Sequence, residues 1–379
     1  MKHHRYNPDF KFVEEPVSFD RNTDPELLRY CLGATMYMPG YQDFTGKILS
    51  EAMPGLTSMV LCFEDACPES RLPEAEANTL TLLDVVGDAL ENGSVSPDAI
   101  PLIFCRVRSL RQFMDFAERL TPKQARVLCG FNFPKFNTRN GEGYFNYLKE
   151  LNERFDFTLY GMPIIEDPRV AHKETRLAEL MGIRDILDAN KSLVLQVRVG
   201  ATDFSSCFGL RRGVDYSIYD IMTVREILSD ILNMFARDND YVVSGPVWEY
   251  FRASKEMMFE DLPEIDLQDR LLRRHRIVNE EVDGLLREVI LDKANGFVGR
   301  TVIHPTHVKY VNALQAVTLE EYEDASQILA AEGGVLKSAT SNKMNEIGPH
   351  TRWAEKVIAR SKAYGVIESE RSYVELFGR

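Results

Sequence analysis

Short apolar runs alternate with longer segments of helical period along most of the chain. The runs are apolar on both faces, which is typical of strands in a parallel sheet covered by helices. Eight such strands spread over about 270 residues fit a (β/α)8 TIM barrel, whereas a doubly wound sheet requires a G-x-G-x-x-G motif that the sequence lacks. The predicted strands are Leu32–Met38, Ser58–Phe63, Ile100–Val107, Arg126–Phe131, Thr158–Ile165, Leu193–Val199, Tyr241–Ser244 and Val298–Ile303.

Both ends of the chain depart from this alternation. Residues 1–25 are polar and contain three prolines, which predicts an irregular N-terminal extension before a barrel domain at 26–306. Residues 307–379 predict a helical C-terminal segment that acts as a lid or in oligomerisation. Within the barrel, the charged segment Phe259–Leu291 predicts a helical insertion.

The C-terminal segment contains two predicted helices. Thr318 and Glu321 form a capping-box pattern, which places the start of the first helix at Thr318 and its end near Ala331. A polar turn over Ser338–Pro349 is expected to lead into a second helix from about Thr351 to Ala363.

Charge and cysteine content exclude several classes of protein. The 379 residues include 45 Lys and Arg against 58 Asp and Glu, a formal charge of −13, which argues against nucleic acid as the main partner. The six cysteines form no C-x-x-C pair, as expected of reduced buried thiols. No apolar run approaches the roughly 18 residues of a membrane span, and the N-terminus lacks the apolar core of a signal peptide. We therefore expect a cytoplasmic protein with no nucleic-acid or membrane partner.

Ionisable residues follow most of the predicted strands. In a barrel the loops after the strands meet at one rim, where active sites are built, so these side chains are expected to converge. A single acid at such a position is commonly a helix cap, but several together indicate an active site. The residues are Glu64, Asp65, Arg106, Lys135, Glu166, Asp203 and His304.

Two of these acids suit a hard cation. Glu166 and Asp203 follow neighbouring strands and could give two oxygens to Mg²⁺, which binds few carboxylates and retains waters and substrate oxygens. Arg106 could hold a substrate carboxylate in a bidentate contact. Since Mg²⁺ can polarise a carbonyl and stabilise an enolate, this set predicts a carbon–carbon lyase. His304 and His307 lack zinc-site spacing.

Seven short motifs in series resemble the citrate lyase β-subunit group of the HpcH/HpaI aldolase superfamily. The resemblance extends over roughly residues 32–360 and is nearest to a divergent subgroup associated with tellurite-resistance and stress genes. The motifs are Thr35-Met-Tyr-Met-Pro-Gly40, Leu61-Cys-Phe-Glu-Asp-Ala66, Arg106-Val107, Pro134-Lys135, Ile165-Glu166 with Gly200-Ala-Thr-Asp203, Gly296-Phe-Val-Gly-Arg300, and Ile303-His-Pro305.

This resemblance implies a role for each matching residue. Glu166 and Asp203 would bind Mg²⁺, and Arg106 would be catalytic and bind the substrate's carboxylate or oxo group. Glu64 and Asp65 would be catalytic by holding the metal's waters and orienting Arg106. The remaining substrate-binding positions would be Lys135, Pro39, Gly40 and His304.

The same resemblance implies the reaction and the assembly. It predicts cleavage or formation of a C–C bond in a 2-oxo or 3-hydroxy acid, or in its acyl-CoA thioester, through a metal-stabilised enolate. It also implies a homo-oligomer, often a trimer, whose C-terminal segments cover a neighbour's rim, with docking onto the same barrel as the alternative.

Two other functions stay open at this point. An aldolase could act on free 2-oxo acids without CoA, since Gly33-Ala34 and Arg108 differ from the family's usual residues near the site. A catalytically silent relative could bind a ligand or a partner protein. The acids at 166 and 203 favour an enzyme.

Overall fold

The computed structural model describes residues 1–251, 271–272, 277–338 and 343–378. Residues 259–270 and 273–276 of the predicted insertion at Phe259–Leu291 therefore lie outside the described residues, whereas its last part is helical. None of the described helices combines the length and the apolar content that a membrane span requires.

Seven parallel strands form one curved sheet in the order β6-β5-β4-β3-β2-β1-β7. Strands β1 to β5 each pair with the next strand along the chain, and β7 returns to pair with β1. The strands are β1 Ala34–Pro39, β2 Ser58–Cys62, β3 Leu102–Arg106, β4 Leu128–Phe133, β5 Tyr160–Ile165, β6 Arg198–Val199 and β7 Arg300–Val302.

Residues 241–245 close the ring between β6 and β7. Val243 bridges to Val197 and Gly245 bridges to Arg300, both in parallel orientation. The pairing stops there because Pro246 follows and has no N–H to continue the ladder. The predicted seventh strand is thus present as two isolated bridges, and the (β/α)8 fold is confirmed.

Helices cover the outside of the barrel. They are α1 Pro25–Leu28, α2 Thr45–Leu49, α3 Leu72–Glu91, α4 Leu110–Ala117, α5 Pro122–Val127, α6 Gly141–Phe155, α7 Pro168–Ala171, α8 Lys173–Asp188, α9 Ala201–Cys207, α10 Met222–Phe235, α11 Glu280–Asn295 and α12 Val308–Gln315. The strand predicted from Arg126 was placed two residues early. Thr121 and Gln124 form a capping box with Pro122 at the first helical position. The helix α5 that begins there ends at Val127, so β4 begins only at Leu128.

The C-terminal segment forms a small helical layer with two short sheets. It contains α13 Leu319–Ala330, α14 Ile347–Tyr364, α15 Ser372–Leu376, β8 Val317–Thr318, β9 Val335–Lys337, β10 Met344–Glu346 and β11 Val366–Ile367. The capping box of Thr318 and Glu321 is confirmed. The predicted polar turn was wrong in part, because β10 pairs antiparallel with β9 and leads directly into a helix that begins at Ile347.

The N-terminal segment is irregular in backbone but packed into the molecule. His3 is fully buried, and its ring nitrogens lie 3.0 Å from the Ala363 carbonyl oxygen and 2.7 Å from that of Cys31. His4 reaches the Tyr364 carbonyl oxygen at 3.0 Å. These contacts join the beginning of the chain to the end of α14, and the division at residues 25 and 306 stays a prediction.

Candidate functional site

The predicted acids and bases follow successive strands at the carboxyl-terminal rim of the barrel. Arg106 is the last residue of β3, and Glu166 follows β5 directly. Asp203 lies in the first turn of α9, just after β6. Parallel strands carry these side chains to the same end of the sheet, which is why residues distant in sequence meet there.

Arg106 is the centre of the cluster. Its Nη2 lies 2.6 Å from a Glu64 oxygen, 3.0 Å from Asp65 and 2.9 Å from Glu166. The guanidinium is buried, and its Nε has no hydrogen-bond partner within the part of the chain that the structure describes. Nη2 therefore forms ion pairs with three carboxylates, while Nε is left without an acceptor.

Lys135 links the acids from the side of β4. Its backbone N–H donates to Glu166 Oε1 at 3.0 Å. Its ammonium donates to Glu64 and lies 3.5 Å from Asp65 Oδ1. A φ of +47° turns the chain at Lys135 so that both the backbone N–H and the side chain point into the cluster.

Gly200 lies between the two predicted metal ligands. A Cβ at this position would overlap Glu166 Oε2 and lie 3.2 Å from Asp203 Oδ2. Glu166 Oε1 is already bound by Arg106 and Lys135, so Oε2 is the oxygen that faces Asp203. The missing side chain lets the two carboxylates approach each other.

The pKa values of the acids in this cluster are shifted by burial and by neighbouring charges. Burial raises the pKa of Glu166 to about 7, with the Asp203 carboxylate adding to the shift and Arg106 opposing it. Burial and the nearby charge of Asp65 also raise the pKa of Asp203. The pKa of Asp65 is lowered, because its contacts with Glu64, Arg106 and Lys135 outweigh the burial that would raise it. A buried and a half-buried acid side by side thus favour an additional positive charge.

The donor set fits Mg²⁺. No group of three or more His, Cys, Asp or Glu side chains in the described ranges is arranged to hold a metal. Mg²⁺ does not need three, because it commonly takes one or two carboxylates and fills its octahedron with water and substrate oxygens. Glu166 Oε2 and Asp203 Oδ2 are the two oxygens that would hold it.

Three predicted substrate-binding residues lie outside this cluster's contacts. Gly40, after Pro39 at the end of β1, donates its N–H to the Cys62 carbonyl at 3.0 Å and packs against Phe63. His304 bonds Thr306 at 2.7 Å and stacks on Phe251, with ring centroids 4.3 Å apart. Neither Gly40 nor His304 bonds to the acids, so their roles stay predictions.

Sequence reasoning missed a polar layer near Arg106 inside the barrel. Asn132, the strand neighbour of Arg106, donates to the Tyr37 hydroxyl at 2.7 Å. Arg198 in β6 is 1% exposed, and its guanidinium carbon lies 5.6 Å from the Tyr37 ring centroid. It bonds the Thr301 hydroxyl at 2.8 Å. The sequence did contain a signal for this layer, namely a polar residue within an apolar strand run.

Comparison with known proteins identifies the family. The family model for C–C bond lyases of the TIM-barrel fold matches residues 26–366. The structure of protein CitE from Mycobacterium tuberculosis, solved with magnesium, acetoacetate and coenzyme A, is 18% identical, with a TM-score of 0.50 over 88% of this chain and 99% of that chain. A Haloferax volcanii malate synthase structure is 15% identical, with a TM-score of 0.50 over 80% of this chain and 76% of that chain. No curated protein sequence matches. Because the family model matches most of the chain, this chain belongs to the C–C bond lyase family of the TIM-barrel fold.

Proposed function

We propose that this protein is a Mg²⁺-dependent lyase that cleaves or forms a C–C bond in a 2-oxo or 3-hydroxy acid or its acyl-CoA thioester. The observation that carries the proposal is the pair of rim carboxylates, Glu166 and Asp203, that share the space left by Gly200. A buried acid this close to a half-buried one is stabilised in its charged form by a nearby cation.

Each residue of the cluster has a role in this proposal. A bound Mg²⁺ supplies positive charge that polarises a carbonyl and stabilises negative charge developing on its oxygen. Arg106, whose Nε has no acceptor among the described residues, binds the substrate's carboxylate through its guanidinium. Glu64 holds Arg106 and Lys135 in place through the contacts already described.

Asp65 and Lys135 are the accessible members of the set. Their side chains are 55% and 46% exposed, whereas Glu64 and Arg106 are nearly buried. They line the entrance, where they orient the substrate and can exchange a proton with it. Each proton transfer requires a contact of hydrogen-bond length with the reacting carbon acid or alcohol.

The first experiment measures enolate formation directly. Proton NMR in D₂O follows exchange of the methyl protons of pyruvate and of acetyl-CoA, each with Mg²⁺ and purified protein. We expect exchange with at least one of them, and its loss when EDTA removes the metal. The pyruvate arm tests the chemistry without CoA, so the two arms separate an acyl-CoA lyase from an aldolase of free 2-oxo acids. Exchange in neither arm would contradict the proposal.

A substitution at Glu166 tests whether this residue binds Mg²⁺. Glu166→Gln replaces an anionic oxygen with an amide and should weaken Mg²⁺ binding by at least about 10- to 100-fold. Glu174→Gln, an exposed acid in the first turn of α8, is the control and should bind Mg²⁺ normally. Calorimetric titration compares the two, and wild-type affinity in Glu166→Gln would refute the ligand assignment.

A further inference from the structure

A cavity lined by several charged side chains lies far from the rim, between the barrel and the C-terminal helices. Its volume is about 540 Å³, within the range of small-molecule sites. Residues 297–298, which precede β7, and 238–239, which precede the closing segment, line it. It therefore opens at the amino-terminal face of the barrel, opposite the carboxylate cluster.

One face of α14 carries three positively charged side chains that line the cavity. Arg352, Lys356 and Arg360 are spaced four residues apart and face the cavity together, with Lys293 from the last turn of α11. Side chains four apart lie on the same face of a helix, so neighbouring cations repel each other. Burial and the charge of Arg360 lower the pKa of Lys356 accordingly.

Carboxylates balance only part of this charge. Three line the cavity, of which Glu321 lies 3.1 Å from Lys293 Nζ and Asp238 pairs with Arg352. Glu370 is the third. Lys356 and Arg360 have no carboxylate within ion-pair distance anywhere in the described ranges.

Arg360 also has unused hydrogen-bonding capacity. It is 7% exposed, and its Nη2 donates to the Gln315 carbonyl at 2.8 Å. Its Nε has no acceptor among the residues that the structure describes. A buried guanidinium N–H without an acceptor is costly, so an anion that supplied one would bind favourably.

We propose that this cavity binds a phosphate-bearing small molecule, whose oxyanion lies between Lys356 and Arg360. A planar guanidinium matches two phosphate oxygens, and an ammonium adds a point charge. Trp353, which is 39% exposed, and the buried ring of Tyr373 supply apolar walls for the rest of the ligand.

Calorimetry with inorganic phosphate and pyrophosphate tests this site, with sodium acetate as a carboxylate control and ionic strength held constant with NaCl. We expect saturable binding of a phosphate compound but not of acetate. Lys356→Gln should weaken that binding about tenfold, the value of one charge-assisted contact.

The matched control is Lys362→Gln, an exposed lysine on the same helix outside the cavity. It should bind phosphate like the wild type, and circular dichroism should show that both variants are folded. Equal affinity of Lys356→Gln and wild type, equal binding of acetate, or no saturable heat would each overturn the proposal. The site does not depend on the proposed lyase activity, so these outcomes leave that activity to its own tests.

Discussion

Gly200→Ala is the most direct test of the carboxylate pair. Gly200 has a φ of −105°, which alanine adopts readily, so the substitution introduces no backbone strain. The new methyl group would overlap Glu166 Oε2 and lie 2.6 Å from the Cβ of Glu166. Since that Cβ is fixed to the end of β5, a change of rotamer cannot relieve the clash. The Glu166 carboxylate must move away from Asp203.

Gly200→Ala should lower the stability of the fold only moderately but weaken Mg²⁺ binding strongly. Overpacking by one methyl group costs about 1–3 kcal/mol, which a large barrel should tolerate. Displacing a ligand should weaken Mg²⁺ binding about 10- to 100-fold. Gly46→Ala is the control, because its methyl group would meet nothing within 4 Å, and in α2 it should add about 0.5–1 kcal/mol of stability. Calorimetric titration and thermal melts of both variants give the result. A folded Gly200→Ala protein with wild-type Mg²⁺ affinity would refute the paired-ligand geometry.

Two further predictions concern Arg106 and His3. Arg106→Lys keeps the charge but loses the planar fork, so steady-state kinetics should show kcat/KM lower by about 10- to 100-fold, equivalent to roughly 1.5–3 kcal/mol; unchanged kinetics would make Arg106 purely structural. Burial lowers the pKa of His3 to about 4, so the unfolded chain takes up a proton first and stability falls as pH decreases below about 6.5. Urea titrations should therefore show that the loss of stability between about pH 8 and pH 5 is smaller in His3→Asn than in the wild type by about 2 kcal/mol, and an identical loss in that variant would contradict the assignment.

The periodicity of the chain was enough to predict the barrel. Strands buried on both faces give continuous apolar runs, and the residue that follows each run lies at the rim in any barrel. For that reason Glu64, Arg106, Glu166 and Asp203 could be grouped before their distances were known. Residues 241–245 were identified on the same basis, although Pro246 limits their pairing to isolated bridges.

Features that depend on three-dimensional contact could not be predicted in this way. The role of Gly200 follows from the position of the Glu166 side chain, which no spacing encodes. Arg198 lies within an apolar strand and bonds residues of β1 and β7 that are distant in sequence. The position of His304 after β7 suggested the site, whereas the stacking of its ring on Phe251 could not be predicted from spacing.

The contacts of the His3 ring with the Cys31 and Ala363 carbonyl oxygens have a consequence for folding order. The contact with Ala363 spans 360 residues, so it cannot form until nearly the whole chain has been synthesised. Ribosomes add about 5–20 residues per second, so roughly 20–70 s pass between the synthesis of His3 and that of Ala363. Docking of this segment is therefore a late step in synthesis, and a nascent chain stalled before α14 would present residues 1–24 to chaperones and proteases.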